Sequence, residues 1–287
     1  LFQNKESEAM KIIKNSRKEN NSNLLLEETE NFLKKGNVKE VKSFFNCKNP
    51  KDSIAEFFYI IANLYSSENE YKLSNFYMKI SLFLNNKFLS NKALLAENYF
   101  YQKKYEESKK IYKSLKKIGN VYSWFAAKSI AIILLETENK KNSISFLEKE
   151  FKLLSDLDFE YYYELANFYK DNGYYEESIK YYSMALNKIK ENHYLVPKIL
   201  DRRGTSYERS GDWEKAEIDL MESGKLNIEV QSTNLSPGAP VVLGVRPEHL
   251  TINQEKDATW EGKVFVIEKL GSGTFLYIEK ENEPLVV

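Results

Sequence analysis

The sequence predicts a mainly α-helical protein in which helical hairpins stack into a right-handed solenoid, followed by a small, incomplete antiparallel β module. Small and aromatic residues recur in step along the first part of the chain with a period of roughly 35 residues, which indicates a repeat architecture. After residue 224 the apolar residues begin to alternate, as in short strands. Amino-acid usage changes at the same place, since only Tyr277 of the 20 tyrosines lies beyond Tyr207.

Composition limits the functions that the chain can have. The 42 basic and 42 acidic residues cancel, so no global field attracts nucleic acid or an anionic membrane. The single cysteine, Cys47, excludes an internal disulfide and a cysteine-based zinc cluster. The longest strongly apolar run, 130–135, is far shorter than the ~20 residues that span a bilayer. With no initiator Met or signal peptide, the compartment stays open between the cytoplasm, slightly favoured, and the bacterial envelope or periplasm.

The sequence divides into three predicted regions. Residues 1–52 form a polar N-terminus in which 23–45 has helical spacing around Gly36, and this stretch is either a degenerate hairpin or a capping pair. Residues 53–223 hold about five repeat units. Residues 224–287 form the β module, and Gly224 stands where a helix would otherwise continue into a further repeat.

Each repeat unit carries one small residue on its first predicted helix and another on its second. The first set, spaced 34, 35, 35 and 38 residues apart, is Ala62, Ala96, Ala131, Ala166 and Gly204. The second set is Ser74, Ser108, Ser143, Ser178 and Ala216. We expect these residues to let the paired helices approach closely. The aromatic residues Tyr65, Tyr99, Tyr169 and Tyr207 are then predicted to be core rather than a platform for stacking bases. Turns at Gly173 and Gly211 are predicted to need a positive φ.

This pattern resembles the tetratricopeptide repeat (TPR), whose period is about 34 residues. The resemblance implies a concave groove, lined by the first helix of each unit, that binds a peptide or protein segment. The family's chaperone-tail clamp does not carry over, because Tyr59 stands where that clamp has a lysine. An ordinary solvated face is the alternative for each groove position. Those positions are Tyr59, Asn63, Glu97, Phe100, Tyr101, Lys128, Tyr163, Asn167, Lys170, Asp201, Thr205 and Arg209.

The C-terminal stretch "VVLGVRPEHLTI" (241–252), followed by "GKVFVIEKLGSGTFLYI" (262–278), resembles the TOBE domain of ABC-importer ATPase subunits. The resemblance implies an OB-like fold and a regulatory role beside a nucleotide-binding domain. Its motif residues are Gly244, Arg246, Pro247, Glu248 and His249. Residues 261–287 are predicted to be a three-stranded meander with a hairpin turn at 271–273. Since the chain stops at "PLVV", where the family domain continues, we expect an incomplete module.

The resulting functional prediction is a non-catalytic protein–protein interaction scaffold. The alternative is a regulatory component of an ABC import system that meets an ATPase subunit through the TOBE-like segment. No P-loop occurs in the sequence, and no nucleophile–base or metal-ligand spacing is present, so neither a cofactor nor an enzymatic activity is expected. The joining of the two parts is either a natural fusion or a chimera of two unrelated fragments.

Overall fold

The computed structural model describes residues 5–19, 23–224, 263–270, 273–280 and 283–286, with side chains for 5–16 and 23–224. The helices in these parts are α1 Glu6–Glu19, α2 Leu24–Lys34, α3 Val38–Phe44, α4 Pro50–Ser67, α5 Tyr71–Leu84, α6 Leu89–Tyr101, α7 Tyr105–Leu115, α8 Asn120–Thr137, α9 Lys140–Phe151, α10 Phe159–Asp171, α11 Tyr175–Lys188, α12 Val196–Ser210 and α13 Trp213–Ser223. The strands are β1 Lys263–Leu270, β2 Gly273–Lys280 and β3 Glu283–Val286. The chain divides into two compact units, Leu1–Tyr161 and Tyr162–Val287.

Consecutive helices pack as hairpins, as the repeat pattern predicts. In the first unit these hairpins are α4–α5, α6–α7 and α8–α9, and α12–α13 is a hairpin of the second unit. Hydrogen bonds between α4 and α5 show that the two helices are antiparallel, because Ser74 bonds to Ala62 and Ser81 bonds to Ala55. The second helix of one hairpin contacts the first helix of the next at α5–α6, α7–α8 and α11–α12. The predicted helical-hairpin architecture of the TPR type is therefore confirmed.

The turn inside a hairpin has a left-handed residue at the same repeat position in four units. Gly173 and Gly211 have φ angles of 85° and 89°, which confirms the predicted positive φ. Asn69 and Lys103 occupy the equivalent positions with φ angles of 63° and 59°. A lysine in this region carries a steric cost that glycine does not. The turn geometry is therefore kept even where the favoured residue is absent.

The small residues lie between paired helices, as predicted. Ala62, Ala96, Ala131 and Ala166 have no exposed surface, and Gly204 is buried as well. The paired serines of the second helices are also completely buried. In the three hairpins of the first unit each serine hydroxyl donates to the carbonyl oxygen of the facing alanine. These bonds are Ser74–Ala62 at 2.7 Å, Ser108–Ala96 at 2.8 Å and Ser143–Ala131 at 2.6 Å.

The tyrosines of the first helices pack against tyrosines of the second helices. Tyr65 stacks on Tyr77 with ring centroids 5.6 Å apart, and Tyr169 stacks on Tyr181 at 5.4 Å. Tyr169 is 1% exposed. Offset or tilted aromatic pairs of this kind contribute about 0.5–1.5 kcal/mol beyond their buried area. For Tyr169 in particular, the predicted core role is confirmed.

The helices before the first hairpin take a separate course. Helix α2 packs against α1 and α3 and also lies on α6 and α8, which are the first helices of the second and third hairpins. Asn23 caps the start of α2, since its side-chain oxygen accepts from the backbone N–H groups of Leu25 and Leu26 at 3.1 Å. Leu24, Leu25 and Phe32 of α2 join the main apolar core of the first unit.

The three strands form one antiparallel sheet in the order β1-β2-β3. Leu270 pairs with Gly273 at the first hairpin, and Lys280 pairs with Glu283 at the second. The register shifts between Val264 and Val266, which marks a bulge in β1. The predicted three-stranded meander is confirmed, whereas the TOBE-like motif at 244–249 lies outside the described residues.

Candidate protein-binding surface

All twelve residues predicted to line a groove lie on the first helices of the hairpins, α4, α6, α8, α10 and α12. They fall into two groups by exposure. The exposed residues are Asn63, Tyr101, Asp201 and Arg209. The half-buried residues are Tyr59, Glu97, Phe100, Lys128, Tyr163, Asn167, Lys170 and Thr205. The half-buried group is the more informative one, because a partly desolvated polar group gains most from a ligand that completes its hydrogen bonds.

In the first unit, Tyr59 of α4 and Glu97 of α6 interact electrostatically. Burial raises the pKa of the Glu97 carboxyl. Burial also raises the pKa of the Tyr59 phenol, and the negative charge of Glu97 raises it further. The pKa of the Tyr112 phenol on α7 is also raised, chiefly by burial. Tyr59, Glu97 and Tyr112 are called the Glu97 patch below.

Aromatic rings support the Glu97 patch. The ring of Phe88 lies 5.0 Å from that of Tyr59, centroid to centroid, and 5.8 Å from that of Phe45. At the other end of α6, Tyr101 stacks on Tyr71 at 5.4 Å with an interplanar angle of 12°. Tyr59 and Tyr101 lie on helices rather than on loops, and these ring contacts restrict their orientation. Both features favour a preformed surface.

In the second unit, Asn167 of α10 is the centre of a hydrogen-bonded group. Its side-chain oxygen accepts from the Tyr182 hydroxyl at 2.7 Å and from Nη1 of Arg202 at 3.1 Å. The guanidinium of Arg202 also lies 5.8 Å from the centre of the Tyr163 ring, within cation–π distance. Tyr163, Asn167, Tyr182 and Arg202 are called the Asn167 patch below.

The Asn167 patch is arranged to donate hydrogen bonds. Because arginine can only donate, the atom of Asn167 that faces Arg202 must be the oxygen, and this fixes the orientation of the amide. Burial raises the pKa of the Tyr182 phenol even though Arg202 opposes the shift, so Tyr182 stays a neutral donor to Asn167. The guanidinium and the Asn167 amide nitrogen therefore present donors suited to a carbonyl or carboxylate.

The other predicted residues are not part of these patches. The Thr205 hydroxyl donates to the backbone carbonyl of Asp201 at 2.9 Å, a bond within α12. Lys170 pairs with the neighbouring Asp171 at 3.2 Å, and Lys128 lies 5.8 Å from the centre of the Trp124 ring. Tyr112, Tyr182 and Arg202 were not predicted from the sequence. For Arg202 the sequence offered one signal, its position directly after the predicted Asp201 on a first helix. For Tyr112 and Tyr182 it offered none, because both lie on second helices that reach the patches only through packing.

The part of the chain that the structure describes contains no group of three or more His, Cys, Asp or Glu side chains that could hold a metal ion. None of the helices in the described parts of the chain combines the length and the apolar character that crossing a bilayer requires.

A family model for the TOBE domain matches residues 243–287. The curated relatives that are similar to the C-terminal part of the chain are maltose/maltodextrin import ATP-binding proteins. The chain is 38% identical over 69 residues to the maltose/maltodextrin import ATP-binding protein MalK of Vibrio parahaemolyticus, covering 24% of this chain and 18% of the relative. It is 38% identical over 66 residues to MalK of Salmonella typhi, covering 23% and 18%. The chain thus spans about a fifth of the length of these curated relatives.

The solved structures that are similar to the chain include a TPR protein. YrrB, described as a TPR protein with an unusual peptide-binding site, covers 61% of this chain and 87% of its own, with 19% identity and a TM-score of 0.38. MamA from Desulfovibrio magneticus RS-1 covers 59% and 92%, with 15% identity and a TM-score of 0.42. BtubC from P. vanneervenii covers 66% and 88%, with 14% identity and a TM-score of 0.45.

Proposed function

We propose that the helical part of the chain is a non-catalytic scaffold that binds a peptide or protein segment along the first helices of its hairpins. The observation that supports it most is the pair of patches at predicted groove positions. Each patch holds a half-buried polar group among aromatic side chains, Glu97 in the first unit and Asn167 in the second. Such sites favour a ligand with its own polar backbone groups.

The two patches offer complementary chemistry. A carboxyl whose pKa is raised by burial, as at Glu97, gains when a ligand brings an N–H group or a cation to it. Arg202 and Asn167 offer donors to a carbonyl or carboxylate oxygen of the ligand. Each patch therefore suits a peptide or protein segment that brings the matching polar group better than it suits an apolar small molecule.

A peptide library bound to the full chain tests this proposal. Glu97→Ala and Arg202→Ala should each weaken the retained peptides about tenfold, or roughly 1.4 kcal/mol. Glu107→Ala is the matched control, because Glu107 is an exposed acid on α7, a second helix. Equal affinities for all the variants, or no retained peptide at all, would refute the proposal.

A second candidate function is regulation of an ABC import system, which the TOBE match at 243–287 and the identity to MalK proteins favour. Co-purification of the full chain with an importer ATP-binding subunit tests it. Arg246→Ala with His249→Ala should reduce the recovery of that subunit, whereas Glu97→Ala should leave it unchanged. Recovery that is insensitive to Arg246 and His249 would count against this function.

A further inference from the structure

Helix α2 lies on α6 and α8, so a segment of the chain itself already covers part of the surface carried by the first helices. Its apolar side chains Leu24, Leu25 and Phe32 pack against a core that includes Ala93 of α6 and Tyr122 of α8. Ala93 is 7% exposed and lies one helical turn before Glu97 on the same helix. The covered surface is thus directly next to the Glu97 patch.

A buried carboxylate fixes the position of α2. Glu28, 3% exposed, accepts hydrogen bonds from the backbone N–H groups of Val121 at 2.8 Å and Tyr122 at 3.3 Å. These two N–H groups belong to the first turn of α8, where helices lack internal acceptors. Residue 28 is 93 positions away from Val121 in sequence, so this bond is a tertiary cap and not a local one.

Gly119 makes room for that carboxylate. A Cβ atom at this position would overlap the Glu28 carboxyl group and would lie only 2.7 Å from its Oε2 atom. The backbone of Gly119 is extended, with φ 175° and ψ −177°, a conformation open to any residue. The space left by glycine therefore serves the contact with Glu28 and is not required by the turn.

The contact between α2 and the surface includes an unfavourable term. Burial raises the pKa of Glu28, although the two α8 N–H groups and the charge of Lys35 act in the opposite direction. Desolvating a carboxylate costs free energy that its hydrogen bonds only partly return. A helix held in this way is easier to displace than one held by apolar contacts alone.

We propose that α2 is an intramolecular stand-in for the partner, and that it covers the surface until a partner helix displaces it. The inference rests on the proposed scaffold function and names its partner class. That class is an amphipathic helix with a glutamate four residues after one apolar residue and four residues before another. In α2 these three positions are Leu24, Glu28 and Phe32, which share one helix face. The partner's glutamate replaces Glu28 at the start of α8.

A labelled peptide of residues 23–35 tests the proposal on the full chain by fluorescence anisotropy. Leu25→Asp with Phe32→Asp releases α2 in cis without altering α6 or α8, and this variant should bind the peptide at least about tenfold more tightly than the original chain does. The original chain binds weakly because its own α2 competes at a high effective concentration. Ile12→Asp is the matched control, since Ile12 on α1 is 65% exposed, and it should behave like the original chain.

A second variant locates the binding. Gly119→Ala, added to the released chain, should abolish binding of the peptide because the new methyl group fills the place of the Glu28 carboxyl. A peptide with Glu28→Gly should bind this triple variant better than the original peptide does. In the original background, Gly119→Ala alone should accelerate hydrogen exchange of residues 24–34, which does not depend on the double variant folding well.

Several results would overturn the proposal. It fails if the released chain ignores the peptide while still retaining library peptides, and the scaffold function then stands. It also fails if Gly119→Ala leaves both exchange and binding unchanged. The released chain could instead form a dimer that the peptide dissociates, while no foreign helix of this class binds. The occupant of the surface is then a second copy of the chain and not a partner. Loss of every library peptide in all variants would instead refute the scaffold function.

Discussion

The two helices of a hairpin are bonded to each other differently in the first unit and in the last hairpin. The line along which the two helices of a hairpin approach most closely is called the seam below. In the first unit a serine hydroxyl bonds to an alanine carbonyl in each of three hairpins. In the last hairpin, α12–α13, Gly204 and Ala216 stand at these positions, and neither has a hydroxyl group. There, Nε and Nη2 of Arg203 bond to the two carboxylate oxygens of Asp219 at 2.6 and 2.8 Å.

The difference indicates how each seam responds to substitution. A neutral hydroxyl–carbonyl bond contributes about 1 kcal/mol net and leaves no charge behind when the hydroxyl is removed. A buried ion pair contributes little relative to an apolar pair, but the removal of one partner leaves an uncompensated charge. Asp219 is 4% exposed and Arg203 also bonds to Ser183 of α11, so the loss would affect three helices.

Breaking the ion pair should have the largest effect. Asp219→Ala leaves Arg203 partly buried without its carboxylate, and we expect a loss of about 3 kcal/mol in the free energy of unfolding of the second unit. The shift of the urea midpoint, followed by far-ultraviolet circular dichroism, measures it. Glu217→Ala, an exposed acid on the same helix, is the control and should have almost no effect. A similar midpoint for both variants would contradict the comparison.

Enlarging a serine of the first unit should have the next largest effect. Ser108 is completely buried against Ala96, so the extra methyl groups of Ser108→Val have no space, and we expect a cost of about 2 kcal/mol. Chemical denaturation measures it. Ser114→Val on the exposed face of α7 carries the same change in helix propensity and serves as the control. If the two variants were equally stable, close packing at the seam would be excluded.

Removing only the hydroxyl should cost less. Ser108→Ala keeps the seam small and deletes the 2.8 Å bond to the Ala96 carbonyl, with an expected loss of about 1 kcal/mol. The same change at Ser143 should give a similar loss, because its bond to Ala131 is equivalent. Denaturation of both variants side by side measures it. A loss as large as that of Asp219→Ala would remove the distinction between the two seams.

The pH dependence should give the smallest effect. Burial raises the pKa of Glu97 above the ordinary 4.5, so the folded chain holds this proton more tightly than the unfolded chain does. The stabilisation of the fold that comes from protonated Glu97 is complete below pH 4.5, and it is lost as the pH rises through the raised pKa. Glu97→Gln should therefore flatten the fall in the urea midpoint above pH 4.5, whereas Glu107→Gln should not. An unchanged slope in Glu97→Gln would be the contrary result.

The repeat could be predicted because local helix geometry determines where its small and aromatic residues lie. Ala62 and Ser74 could be assigned to one seam from spacing alone, since the helical period fixes which residues share a face. The positive φ at Gly211 followed from the same register and the residue type. Phase also placed the residues predicted to line a groove on first helices, and the structure has them there. Phase could not reveal that Asn167 is bonded to Arg202 and Tyr182, because that contact depends on how neighbouring helices pack.

The sequence by itself determined the hairpins, their small-residue seams, the β meander and the helices that carry the candidate surface, because periodicity and turn chemistry act over a few residues. The tertiary structure alone decided that α2 lies on α6 and α8 and that Glu28 caps a helix 93 positions away. No local pattern encodes these contacts. They arise because α2 buries its apolar face on whichever surface is complementary, and Gly119 provides the space for its carboxylate.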